Sequence, residues 1–286
     1  MKALVDCAPL STQAVIFCSF IIGGLTMHPM LNIAVRAARV AGNVITRGFE
    51  NRSEIETQVK GPNDYVTRID KEAEQAIISK IKQSYPTHSF VGEEGGIVAG
   101  DEDFKWIIDP LDGTTNFIQG IPHFAVSIAL MIKGRLDQAV VFDPIRGELF
   151  TASRGAGAQL NGFRVRTSAR KDLNGSVLAT ALPFKHKDRF SDYMTSFNNI
   201  FMQCGDIRRG GSAALDLAYV AAGRFDGYWE KGIKPWDIAA GELLVREAGG
   251  IVSDFVGGHD TMKKGEIVAG NPKVVRELVK QLKVTE

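Results

Sequence analysis

From Leu31 to Arg47 the apolar residues Ile33, Ala37, Val40, Ala41 and Val44 recur at helical spacing, with Arg36, Arg39, Asn43 and Arg47 on the other face. This pattern predicts an amphipathic surface helix, with Pro29 suited to its first turn. A polar loop containing Gly61, Pro62 and Asn63 leads to a second helical pattern over Asp70 to Gln83, where Ala73, Ile77 and Ile81 repeat and the helix stops before Pro86. Two helices are therefore expected ahead of the first strand. Strand-like runs follow at Ser89 to Gly92, Phe104 to Ile108, Ala125 to Ile132, Leu136 to Phe142 and Glu148 to Ala152, punctuated by Gly134 and Pro144. Asn161-Gly162 in AQLNGFRV is the strongest short hairpin cue. Because these strands succeed one another without helices between them, an antiparallel sheet with helices stacked on it is expected, an α+β fold rather than a doubly wound one.

The remainder alternates. A strand is expected near Val177 to Thr180, helices from Ser191, over Ser212 to Ala222 and over Asp237 to Ala248, strands at Ile251 to Asp254 and Ile267 to Ala269, and a closing helix from Pro272 to Leu282. There is no internal repeat and no Pro/Gly/Ser-rich linker, so residues 27–286 read as one compact unit of two α/β subdomains, about 27–165 and 166–286.

Composition narrows the function classes. A hydrophobic content of 44% over 286 residues suits a buried core, and 34 basic against 33 acidic residues give a net charge of +1, with no global call for nucleic acid or an anionic membrane. Cys7, Cys18 and Cys204 exclude a disulfide framework and fit a reducing, cytoplasmic setting. The apolar run from Ala14 to Leu25 spans twelve residues, too few to cross a bilayer as a helix. A single lysine offset by Asp6, and no small-residue cleavage site, weaken a signal-peptide reading. Residues 1–26 are expected to be an extension absent from, or irrelevant to, the working protein, with a targeting or membrane-associated segment as the alternative.

The chemistry gathers around carboxylates at element ends: Asp70, Glu93-Glu94, Asp109 with Asp112, and Asp237. Each has a plainer reading, since Thr67 and Asp70 form a T-x-x-D capping box, Glu93-Glu94 suits a solvated loop and Asp237 suits a helix start. The stretch WIIDPLDGTTNF is harder to read as structure alone, because Pro110 fixes the backbone between two acids that repel. Convergent oxygens suit a hard cation such as magnesium, and the amides of Gly113-Thr114-Thr115 suit a phosphate. Phosphatases that form an aspartyl-phosphate carry D-x-D-G-T, whereas this chain has D-P-L-D-G-T. On a strand that extra residue re-aims one acid, which disfavours the covalent route.

NDYVTRID, VGEEGG, DPLDGTTNF, RRGGSAALDLAYVAAGRFDGYWE and PWDIAAGELLVREAGG, in this order, resemble the blocks of the inositol monophosphatase family over essentially all of Met27 to the C-terminus. The start MHPMLNIAVRAAR and the closing IVAGNPKVV look most like its bacterial inositol-1-monophosphatases. The resemblance implies a layered αβαβα sandwich and a magnesium-dependent phosphomonoesterase that acts without a covalent intermediate, using two to three Mg2+ ions. By the same resemblance, Glu93 would bind the first metal and share a weaker third, Asp109 would bridge the first and second, the Leu111 carbonyl would complete the first site, and Asp112 with Asp237 would hold the second. Asp70 and Thr114 would position and deprotonate the attacking water. The amides of Gly113, Thr114 and Thr115 would hold the phosphate, and Gly211, Ser212, Ala213 and Glu230 would contact substrate hydroxyls. Two metals about 4 Å apart suit so slow a hydrolysis, activating water on one side and neutralising the leaving alkoxide on the other.

The implied substrate is myo-inositol 1-phosphate or a related polyol or sugar phosphate, with lithium inhibition. Fructose 1,6-bisphosphate, histidinol phosphate and nucleotide 3′-phosphates are the neighbouring specificities, and Glu230 favours a hydroxyl-rich partner over a second phosphate. His123 reads as a packing or hydrogen-bonding residue, and Lys60 as a weaker candidate for electrostatic support. A homodimer is the family expectation. Bacterial relatives are also linked to Nus factors and RNA polymerase in ribosomal RNA transcription, but Lys185, Lys187, Arg189, Arg208 and Arg209 read only as scattered surface bases.

Overall fold

The computed structural model describes residues 27–51, 57–61, 64–184 and 187–282, the side chains of Lys60, Asp64 and Arg189 excepted. The apolar run Ala14 to Leu25, Pro62-Asn63, the Lys60 side chain, Lys185 and the Arg189 side chain thus lie outside the described residues.

Helix α1 (Pro29–Glu50) buries Leu31, Ala34, Ala38, Ala41 and Ile45. This stripe is rotated from the expected one, since Val40 is 40% exposed; the alanines let α1 settle closely against its neighbours. Between α1 and α2 (Arg68–Lys82) the expected plain loop is a small hairpin of β1 (Thr57–Gly61) and β2 (Asp64–Thr67), too short and polar to show a strand period. Helix α2 opens on the expected capping box, with Thr67 and Asp70 satisfying each other's end groups, and buries Ile69, Ala73, Ile77 and Ile81.

An eight-stranded sheet follows in the order β10-β9-β8-β7-β6-β5-β3-β4. Its strands are β3 (His88–Gly92), β4 (Gly96–Val98), β5 (Asp101–Asp112), β6 (Ala125–Ile132), β7 (Arg135–Asp143), β8 (Glu148–Ser153), β9 (Gly157–Leu160) and β10 (Phe163–Arg164). All neighbours are antiparallel except β3 and β5, which run parallel. At the β9–β10 hairpin Asn161 and Gly162 both have positive φ, 49° and 85°, as an Asn-Gly turn of this hand requires. A short helix α3 (Thr114–Gln119) follows β5 directly, where the sequence suggested only a glycine turn.

The second sheet has the order β12-β11-β13-β15-β14, with β11 (Val177–Thr180), β12 (Asp206–Arg208), β13 (Gly227–Lys231), β14 (Ile251–Ser253) and β15 (Glu266–Gly270). Its helices are α4 (Phe190–Phe201), α5 (Ala213–Ala221), α6 (Pro235–Glu247), the single turn α7 (Thr261–Lys264) and α8 (Pro272–Leu282). Helices α5 and α6 are buried nearly all round, and they sit between the sheets, packing on Ala129, Val141 and Phe150 of one and on Tyr228 and Ile267 of the other. Gly241 permits the α5–α6 contact, because a Cβ there would stand 2.5 Å from the Leu217 side chain. Helices α1 and α2 cover the outer face of the first sheet through Trp106, Ile108 and Val126. Helices α4 and α8 cover the second sheet through Trp229 and Val268. Helix pair, sheet, helix pair, sheet, helix pair is the expected αβαβα sandwich.

Candidate functional site

The site forms where β5 ends and the N-terminal ends of α3, α5 and α6 meet. Strand β5 runs past Ile108, where the sequence pattern ended it, through Asp109 to Asp112. Its pairing with β6 shifts there: Asp109 lies opposite Ser127 and Asp112 opposite Ala125. Three steps on β5 match two on β6, so β5 carries a one-residue bulge holding Pro110, which has no N–H to give the ladder. An odd separation would send the two acids to opposite faces of a regular strand, and the extra residue restores parity. Accordingly Asp109, Asp112 and Asp237 of α6 offer carboxylate oxygens within 4.8 Å of one another.

Asp109 is 1% exposed and accepts from the Leu111 amide at 2.9 Å. Asp112 accepts from Ser212 Oγ at 2.6 Å and from the Ala214 amide at 2.7 Å, so the start of α5 is tied to the end of β5. One Asp237 oxygen accepts from the Lys234 amide at 2.8 Å, the helix-start role weighed above. Asp70 likewise caps α2 through the Thr67 amide at 2.8 Å, and its other oxygen receives the Thr114 hydroxyl at 3.0 Å. Both plainer readings therefore hold alongside a place in the site. Thr114 Oγ1 also lies 3.1 Å from the Leu111 carbonyl, and its one proton can serve only one of these acceptors at a time.

The first turn of α3 has no side-chain cap, and its residues Gly113, Thr114 and Thr115 line the cavity. Gly113 opens it at φ 104°, and a Cβ there would stand 3.0 Å from the His123 carbonyl. One open cavity of about 180 Å³ is lined by Glu93, Asp109, Leu111, Asp112, Gly113, Thr114, Thr115, Gly211, Ser212, Ala213, Glu230 and Asp237, which gathers the candidate residues except Asp70 and Glu94. Asp70 stands behind the wall and reaches it through Thr114.

The inositol monophosphatase family model matches residues 26–284. The chain belongs to the inositol monophosphatase family. It is 60% identical over 258 residues to the protein named Nus factor SuhB of Escherichia coli strain K12, covering 90% of this chain and 97% of that one. To its namesake in Pseudomonas aeruginosa it is 55% identical, covering 88% and 95%. Among solved structures, the extragenic suppressor protein suhB from Bartonella henselae superposes with a TM-score of 0.87 at 45% identity, covering 90% of this chain and 99% of that one. An inositol monophosphatase from Anabaena superposes with a TM-score of 0.80 at 36% identity, covering 89% and 95%.

The electrostatics fit a family that is typically metal-dependent. Burial, then the charges of Glu93, Asp112 and Asp237, push the Asp109 carboxyl well above its ordinary range. Burial also lifts Asp112 to about 7, against the lowering effect of its bonds to Ser212 and Ala214. Burial raises Asp70 too, opposed by its bonds to Thr67 and Thr114. Clustered buried carboxylates are unstable as anions without a cation, and an all-oxygen set of this kind suits a hard divalent ion.

Tyr65, Ala181, Arg209, Asp216 and Ile233 also line the cavity, and sequence reasoning missed them. Arg209 is corrected from a scattered surface base to a wall residue whose guanidinium stacks 4.7 Å over the Phe184 ring. Arg208 remains outside, paired with Asp206. Asp216 is 2% exposed, and one of its oxygens lacks a hydrogen-bond partner among the described residues; an acid inside the apolar run of α5 was the available signal. His123 does not line the cavity, and its ring meets Tyr219 edge-on.

Proposed function

We propose that this chain is a magnesium-dependent phosphomonoesterase acting on myo-inositol 1-phosphate and related polyol or sugar phosphates. The observation that carries the reading is the meeting, in one cavity, of clustered carboxylates with the uncapped, glycine-led first turn of α3. Glu93, Asp109, the Leu111 carbonyl, Asp112 and Asp237 would hold two to three Mg2+ ions. When bound, such ions act as Lewis acids that ease deprotonation of water and offset charge on the leaving alkoxide.

The chain's own groups do the rest. The amides of Gly113, Thr114 and Thr115 bind the phosphate oxygens at the positive end of α3. The Thr114 hydroxyl donates to Asp70 and orients the attacking water through its lone pairs, so the pair acts as a relay that takes the water's proton. Glu93 shares in this work through its place beside the reacting phosphate. On the far wall Glu230, held by the Tyr228 hydroxyl, accepts hydrogen bonds from substrate hydroxyls, with Gly211, Ser212 and Ala213 shaping the same pocket. Arg209 supplies one positive wall group, which keeps fructose 1,6-bisphosphate, histidinol phosphate and nucleotide 3′-phosphate in the substrate panel. That panel, run with Mg2+ and with or without Li+, tests the reading. Inositol 1-phosphate hydrolysis that Li+ inhibits and Asp109→Asn abolishes is expected; wild-type turnover by Asp109→Asn would refute it.

A second role is favoured by the 60% identity to a protein named as a Nus factor. This chain would also join a transcription complex with Nus factors and RNA polymerase, by a surface separate from the cavity. Pull-down by wild type and by Asp109→Asn should recover the same factors, and loss of capture with the metal-site variant would refute separate surfaces. The reading further includes a cytoplasmic homodimer with subdomains dividing near residue 165, and no described helix is long and apolar enough to cross a membrane.

A further inference from the structure

Helix α2 sends a second carboxylate toward the site, one turn after Asp70. Glu74 is 4% exposed and does not line the cavity. Its Oε2 accepts from the Glu94 amide at 3.0 Å and its Oε1 from the Gly95 amide at 2.6 Å. These are the first amides after Glu93 in the turn joining β3 to β4. On the other side, the Glu93 amide itself donates to the Ile108 carbonyl at 3.2 Å. The backbone is therefore pinned on both sides of Glu93, by β5 before it and by Glu74 after it.

The glycines around Glu93 make this approach possible. A Cβ on Gly92 would lie 2.2 Å from Glu74 Oε2, and one on Gly95 2.6 Å from Oε1, so the turn wraps the carboxylate with bare backbone. Among the described residues Glu74 makes no ion pair, and its charge-assisted bonds are those to the two turn amides. We propose that Glu74 is a positioning residue for Glu93, and that α2 braces the site at two points, the water-orienting Thr114 through Asp70 and the Glu93 turn through Glu74. The proposal rests on the reading of Glu93 as a cation ligand.

The test is Glu74→Gln in the full chain. The amide keeps the shape, but its oxygen can accept from one turn amide while its NH2 faces the other. In cation-free protein, hydrogen exchange at Glu94 and Gly95 should quicken by about tenfold or more with the amides of Ile77 and Ile78 unchanged, and calorimetric Mg2+ affinity should fall by about tenfold, the usual scale for a group that orients a metal ligand. Unchanged exchange at Glu94 and Gly95 overturns the proposal, as does faster exchange spread over α2 and the sheet, which marks Glu74 as part of the fold alone. Freed turn amides with unchanged Mg2+ affinity also overturn it. If Glu93→Gln binds Mg2+ as the wild type does, the assignment of Glu93 is what has failed. Should Glu74→Gln not fold, Gly95→Ala pushes the same contact apart from the other side and should weaken Mg2+ binding alike; wild-type affinity in that variant overturns the proposal.

Discussion

Asp112→Asn should make the cation-free protein more stable at pH 8 while removing its activity. Burial holds the Asp112 carboxyl at about 7 in the folded chain against 3.8 in its ordinary state. Between those values the folded chain binds a proton that the unfolded chain has released, so stability falls as pH rises through that window and stays low above it. A shift from 3.8 to about 7 corresponds to at most about 4 kcal/mol. Water entering the open cavity screens part of it, leaving about 2 kcal/mol as the working figure. An asparagine oxygen can still accept from Ser212 Oγ and the Ala214 amide, so the substitution removes the charge and keeps the bonds. Urea denaturation in EDTA, followed by the buried Trp106 and Trp229, should show the variant ahead at pH 8 and level with wild type near pH 4. Mg2+ at 100 times its dissociation constant should then add about 2.7 kcal/mol to the wild type and far less to the variant. A variant no more stable than wild type at pH 8 without cation would refute the claim that burial disfavours the Asp112 anion in the folded site.

Other substitutions probe separate parts. Thr114→Val keeps the shape and removes the hydroxyl that meets Asp70, so kcat should fall by about 10²–10⁴-fold with the thermal midpoint nearly unchanged, by steady-state kinetics and calorimetry. Gly113→Ala places a Cβ 3.0 Å from the His123 carbonyl at φ 104°. It should destabilise the fold by about 1–2 kcal/mol and raise KM for the phosphate ester. Gly241→Ala drives a methyl to 2.5 Å from Leu217 at the α5–α6 contact. Urea titration should show a loss of about 1–3 kcal/mol, with KM unchanged in the protein that remains folded.

Much of the fold was legible because its helices and central strands carry clean periods. The Ala125 to Ile132 strand and the Pro272 to Leu282 helix were read with their observed limits. What escaped was short or non-periodic. Strand β13 reads GYWEK, with buried residues in sequence rather than in alternation, and so Glu230 could be named by resemblance but not seated on an element. Strand β12 has three residues, and its neighbour Arg209 looked like one more surface base until the second sheet turned it into the cavity wall. Capping and site geometry also proved compatible where the sequence set them against each other. Asp70 spends one oxygen on the Thr67 amide and the other on Thr114, which a residue-by-residue reading could not apportion.

The two-residue gap in D-P-L-D has a sharper meaning in the structure than in the sequence. On an unbroken strand that spacing would part the acids, and it would be evidence against a shared site. The shift from Asp109↔Ser127 to Asp112↔Ala125 shows that the strand spends its extra residue at Pro110, which makes the spacing a requirement for convergence. It also brings the strand to an end at once on Gly113, where the backbone turns left-handed and starts α3 with its amides uncovered. A D-x-D sequence on this scaffold would lose the bulge, keep the acids on one face by plain alternation, and enter α3 one residue early. The carboxylates and the proposed phosphate cradle are thus set by one local event, the bulge, and neither half of the site could shift its register without moving the other.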